Sequence, residues 1–204
     1  MRPSDSSLFT PAEAAVLTRL SLKAVNNAID KNMVAAVVRC GATGAARFLN
    51  QGALLALALE YRLANRFFPE VRRRLFDELM ASPRKVVLSV DEGLVKVDLR
   101  GPRRELAASL RTLRRARSMV VTDTEILGGD PVFRGTRVPV HLIAAMLEQG
   151  STEADILQAY PRITVEMVRS APGYAQAYPI RGRPRSQPWR DRPPMQRTRE
   201  RLSW

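Results

Sequence analysis

The sequence predicts an α+β protein that is mostly helical, and three observations carry that reading. Capping residues sit just ahead of apolar runs with a helical period, as at Thr10-Pro11-Ala12-Glu13 and at Ser21. Two stretches, residues 33–49 and 85–99, are rich in β-branched residues around short Gly-containing loops. At 204 residues and 45% hydrophobic content the chain buries a core of one or two domains, which excludes wholesale disorder.

Four segments follow in order: 1–50, 51–118, 119–180 and 181–204. In the first, Thr10 is an N-cap, Pro11 opens the helix and Glu13 completes a capping box, giving a helix to about Leu17. A second helix starts after Ser21, with Leu22, Val25 and Ile29 on one face and Lys23, Asn26, Asn27 and Asp30 on the other. Two short helices across a tight turn form a helix-turn-helix whose second member enters a major groove. There Asn pairs bidentately with adenine, and Lys contacts guanine or phosphate. The same pattern also describes a capped helical hairpin with a solvated outer face. Residues 33–39 and 47–49, around the loop Cys40-Gly41-Ala42-Thr43-Gly44, form a β-hairpin. After a helix-turn-helix it serves as a wing, with Arg39 and Arg47 near its stem to touch phosphates. The candidate DNA-binding residues are therefore Lys23, Asn26, Asn27, Lys31, Arg39 and Arg47, within a winged helix-turn-helix.

The second segment is a scaffold of helices around a central hairpin. Asn50 caps a helix through Leu63 that is apolar nearly all round and must be covered. The cover comes either from the next helix, Pro69 to Met80, or from a second copy, and a homodimer is the expectation because helix-turn-helix proteins read two-fold half-sites. A hairpin over 85–99 turns at Asp91-Glu92-Gly93, with Gly93 in the left-handed position. Pro102 opens a helix through Arg117 with Leu106, Leu110 and Leu113 as its apolar stripe. Arg103, Arg104, Arg111, Arg114 and Arg115 crowd the rest, either as a solvated face or for phosphate or acidic-protein contact.

In the third segment Gly128-Gly129 and Gly135 permit positive φ around an extended Val132-Phe133, and Pro139 precedes a helix carrying Leu142, Ile143, Met146 and Leu147 inward. Ser151 or Thr152 and then Thr164 start two more helices, making a homeodomain-like trihelical unit. Pro172-Gly173 is expected to stop or kink the third helix, at about 3 kcal/mol if forced straight. The last segment repeats Arg and Pro without apolar periodicity and reads as a disordered basic tail.

The net charge of +13 is unevenly placed. Residues 1–65 hold 7 basic against 4 acidic side chains, 66–117 hold 14 against 7, 122–180 hold 4 against 7, and the tail 8 against 2. An acidic third segment points away from DNA and toward a protein-binding or dimerising role, leaving DNA to the first. One Cys and one His supply neither a disulfide nor an ordinary zinc site, so no metal or cofactor is expected. His141 stands at a helix start without a partnered nucleophile, and Asp123, Glu125 and Asp130 suit turn chemistry, so the chain is read as a non-enzyme. The longest apolar stretch, Ala53 to Leu59, is too short to span a bilayer, and the N-terminus has no apolar signal region; a cytoplasmic protein without membrane contact is expected.

The run Ile126-Leu-Gly-Gly-Asp-Pro-Val-Phe-Arg-Gly-Thr-Arg-Val-Pro-Val140, then Met146-Leu-Glu-Gln-Gly150 and Ile156-Leu-Gln-Ala-Tyr-Pro161, resembles domain-of-unknown-function family 433, an antitoxin-like family. Its motif falls on Gly135, Thr136, Arg137 and Pro139. The resemblance implies a VapB-type antitoxin with a PIN-like ribonuclease toxin as partner, repressing its own operator. Such nucleases hold divalent metal with carboxylates, so Arg183, Arg185, Arg190 and Arg192, anchored by Trp189, are the candidate toxin-binding residues. The other reading is a regulator that stands alone, without a toxin.

Overall fold

Residues 8–41 and 44–180 are described by the computed structural model, which is α+β with helices predominating. Helix α1 (Pro11–Thr18) begins as its capping box dictates: the Glu13 amide donates to Thr10 Oγ1, and the Thr10 amide donates back to Glu13 Oε2 at 2.8 Å. Arg19 closes the helix at φ 59°, and Ser21 caps α2 (Leu22–Asp30) directly beyond. Strands β1 (Val37–Gly41) and β2 (Gly44–Phe48) pair antiparallel, with Val38 opposite Arg47 and Arg39 opposite Ala46. Reciprocal hydrogen bonds of 2.8 Å between Phe9 and Leu49 tie the end of this hairpin to the start of α1.

Helix α3 (Gln51–Leu63) follows an Asn50 cap and buries Ala53, Leu54, Leu55, Ala56, Leu57, Leu59 and Leu63. Helices α1, α4 (Pro69–Ala81) and α5 (Arg100–Ser118) lie against it, so its cover comes from its own chain and not from a second copy. Between α4 and α5, β3 (Val87–Val90) and β4 (Val95–Asp98) form the second hairpin, with Asp91, Glu92 and Gly93 all at positive φ. Helix α5 starts two residues earlier than its Pro102 suggests, because proline in a first turn gives up an N–H that has no intrahelical partner there. One apolar cluster joins buried residues from Ala14 to Leu113 together with Ala177.

A second cluster organises the third segment. Strands β5 (Val120–Val121) and β6 (Val132–Phe133) pair antiparallel, and α6 (Val140–Glu148), α7 (Glu153–Ala159) and α8 (Val165–Ala177) close around Phe133, Val140, Ile143, Ile156, Ile163, Val168, Ala171 and Tyr174. Thr152 and Thr164 are the caps of the last two helices.

Two expectations need correction. Helix α8 does not stop at Pro172-Gly173 but runs on to Ala177. Proline there deletes one bond, to the Val168 carbonyl, yet Val168, Ala171, Tyr174 and Ala177 are buried on both sides of it, against α1, α5 and α6. Burying side chains such as Val168 contributes about 1.5–3 kcal/mol each, enough to offset the lost bond and the propensity penalty. Leu142 is 41% exposed instead of inward. It lies about 200° round the helix from Val140, while Ile143 shares the buried side with Val140. Among the described residues no helix is long and apolar enough to cross a membrane.

A candidate nucleic-acid interface

The outer surface of α2 divides into two ridges with different fates. Asn26 and Asp30 face the hairpin and are occupied: Arg47 on β2 donates through Nη1 to Asp30 Oδ1 at 2.5 Å and through Nη2 to Asn26 Oδ1 at 3.2 Å. These bonds fix the hairpin against the helix. Lys23, Asn27 and Lys31 form the other ridge at four-residue spacing, exposed and without a side-chain hydrogen bond or ion pair among the described residues. Arg39 is one residue out of phase with Arg47's cross-strand partner and so sits on the opposite face of the hairpin. Of the six residues expected to contact DNA, the structure presents three as an open row and uses Asn26 and Arg47 to brace the hairpin. Beyond Lys31 the row meets a groove of about 750 Å³, lined by Asn32, Arg72, Arg73, Phe76 and Asp77 among others.

In the third segment, the Gly-Thr-Arg element is a knot of backbone chemistry. Gly135 takes φ 76°, Thr136 donates its hydroxyl to the Phe133 carbonyl at 2.8 Å, and the same hydroxyl accepts from the Val138 amide at 3.1 Å. Pro139 then caps α6 with extended backbone. Gly135, Thr136 and Pro139 are thus committed to the turn, while Arg137 is exposed. His141 packs edge-on to Tyr174, with Nε2 buried and without a hydrogen-bond partner among the described residues; burial lowers its pKa, Asp130 opposing. No group of three or more His, Cys, Asp or Glu able to hold a metal ion occurs among the described residues. The candidate toxin-binding residues Arg183, Arg185, Trp189, Arg190 and Arg192 lie outside the described residues.

One contact has no sequence signal at all. Tyr178, just past α8, donates its hydroxyl to Glu13 Oε1 at 2.8 Å, and Glu13 is at the same time the capping-box residue of α1. Tyr178 lies 4.7 Å from the Tyr174 ring, and the Arg117 guanidinium stands 5.9 Å from its centroid. Burial first, then the bond to the Glu13 carboxylate, pushes the phenol's pKa well up, so it remains a donor across the physiological range. Tyr178→Phe removes a bond to a charged, buried acceptor and is expected to cost about 1.5–3 kcal/mol, read by thermal melting, with faster amide exchange in α1. A melt unchanged within error means that the contact contributes nothing.

Residues 120–175, spanning β5 to α8, match the family described as a protein of unknown function, DUF433. The chain is 33% identical over 194 residues to the uncharacterized protein y4eO of Sinorhizobium fredii, covering 90% of this chain and 87% of that one. The chain therefore belongs to the family of y4eO, with a DUF433 segment as its C-terminal part. Among solved structures it is similar to a DUF433 member from Anabaena variabilis, at 20% identity and a TM-score of 0.29 over 55% of this chain and 91% of that chain. It is also similar to Rv2018 from Mycobacterium tuberculosis, at 16% identity and a TM-score of 0.35 over 81% and 96% of the two chains.

Proposed function

We propose that the protein is a DNA-binding antitoxin that represses its own operator. The observation that carries the DNA part is the open Lys23, Asn27, Lys31 row on α2, beside a hairpin that Arg47 clamps to the same helix. In this reading α1, α2 and the β1–β2 hairpin act as a winged helix-turn-helix: Asn27 reads an adenine edge, and Lys23 and Lys31 take guanine or phosphate. Two copies bind as a homodimer on two-fold half-sites, in the cytoplasm. The α6–α8 unit is the homeodomain-like part, and its acidic surface suits protein contact better than DNA.

The antitoxin role rests on the resemblance set out above, with a PIN-like ribonuclease bound by the C-terminal half and tail. A regulator without a toxin is the alternative, and co-expression with the adjacent reading frame decides between them: a stable complex supports the first, its absence the second. For DNA, the expected result is tight binding to the protein's own upstream region. Asn27→Ala lowers affinity for that site by about 1–3 kcal/mol and relaxes specificity at one position. Lys31→Ala weakens all sequences alike and lowers the salt slope by about 1. If neither variant differs from the parent protein on its own upstream DNA, α2 is not the reading helix.

A further inference from the structure

The inward side of α5 is defined by Pro102, Leu106, Leu110, Leu113 and Ala116, packed on α1, α3 and α8. Its outward side carries Arg104, Arg111 and Arg114, which fall within about 80° of one another at 3.6 residues per turn. The neighbouring arginines are engaged: Arg103 donates to the carbonyls of Pro83 and Lys85 at 2.6 and 3.1 Å, and Arg115 pairs with Glu166. The side chains of Arg104, Arg111 and Arg114 are exposed and make no ion pair or hydrogen bond among the described residues. At the end of the helix a fourth guanidinium joins them. Arg134, from the DUF433 segment, donates Nε to the Ser118 carbonyl at 3.1 Å, where the negative end of the helix dipole favours a cation. From Arg104 to Ser118 the row is about 21 Å long at 1.5 Å per residue.

The surface between these arginines separates the two classes of acidic partner. Ala107, Ala108 and Thr112 are small, and none of the exposed large hydrophobic side chains of the chain lies on α5. A protein interface needs aromatic or aliphatic anchors at its centre, and this face offers none. A nucleic-acid backbone needs only regularly placed cations, each releasing a condensed counterion. Small intervening residues let the backbone approach the guanidinium forks closely, where they bind phosphate oxygens in pairs.

We infer that the outward arginine row of α5 binds the phosphodiester backbone of nucleic acid without reading its sequence. Helix α1 packs on both α2 and the inward side of α5, so the row faces away from the α1–α2 pair and forms a second contact surface. Nothing in this assignment requires α2 to read an operator.

The test uses the full-length chain and fluorescence anisotropy with a random-sequence 20-base-pair duplex over a salt series. The triple variant Arg104→Ala, Arg111→Ala, Arg114→Ala is expected to keep its melting temperature and to lose about 2–3 units from the salt slope, at about 0.9 per contact. The triple Arg→Lys variant, which keeps the charges, is expected to retain most of the slope. An RNA duplex of the same sequence shows which backbone is preferred, and a slope lost on either supports the assignment. An unchanged slope in the triple alanine variant overturns it. Binding to polyglutamate in place of either nucleic acid also overturns it, in favour of an acidic protein.

Discussion

Arg72→Ala is expected to destabilise the fold by about 3–5 kcal/mol. Arg72 on α4 pairs with Glu60 on α3, with only 11% of its side chain and 16% of the Glu60 side chain exposed. Removing the cation leaves a carboxylate desolvated between two core helices, and that residual charge accounts for most of the loss. The pair itself adds little, because Arg72 Nε and Glu60 Oε2 are buried without hydrogen-bond partners. Replacing both, as Arg72→Met with Glu60→Leu, is therefore expected to be neutral or stabilising by about 1–4 kcal/mol. Denaturant unfolding of the parent, the single variant and the double variant checks both signs. A single variant that loses less than about 1 kcal/mol places the pair in water-like surroundings, contrary to its burial.

Phe133→Ala is expected to cost a similar amount, about 3–5 kcal/mol, by a different route. The ring is fully buried on β6 at the centre of the second cluster, and the Phe133 carbonyl accepts both the Thr136 amide and hydroxyl. Truncation opens a cavity under the turn that presents Arg137 and positions Arg134 at the end of α5. For a chain of this length the loss corresponds to a fall in melting temperature of about 6–20 °C. Phe133→Leu keeps most of the volume and is expected to recover most of the loss; equal loss in both variants points to the ring's edge contacts instead of its bulk.

What the sequence made legible is what local chemistry decides. Thr10, Ser21, Asn50, Thr152 and Thr164 all cap the helices they announce, because a side chain reaching an amide two or three residues on depends on nothing distant. The hairpins were legible for the same reason, through Gly93 and the alternation of their arms. At Pro172 the penalty is local, while the burial of Val168, Ala171, Tyr174 and Ala177 that carries α8 past it is tertiary and has no local signal. Of the seven arginines of α5, the sequence does not sort Arg103, Arg104, Arg111, Arg114 and Arg115 into engaged and open. Only the partners supplied by Pro83, Lys85 and Glu166 separate the engaged from the open. At α2, helical spacing identified the polar face, yet which half of it the hairpin occupies depends on Arg47 arriving from another element.

The Tyr178 to Glu13 bond also sets a timetable for the chain. It joins residues 165 positions apart, so α1 waits for a partner made long after it during synthesis. At roughly 5–20 residues per second, that delay is roughly 8–33 s. Over that interval the first helix of the candidate DNA reader lacks the helix that finally shields it. The candidate reader becomes complete only when α8 and Tyr178 are in place, which makes the chain through Tyr178 the smallest unit in which α1 meets its native surroundings.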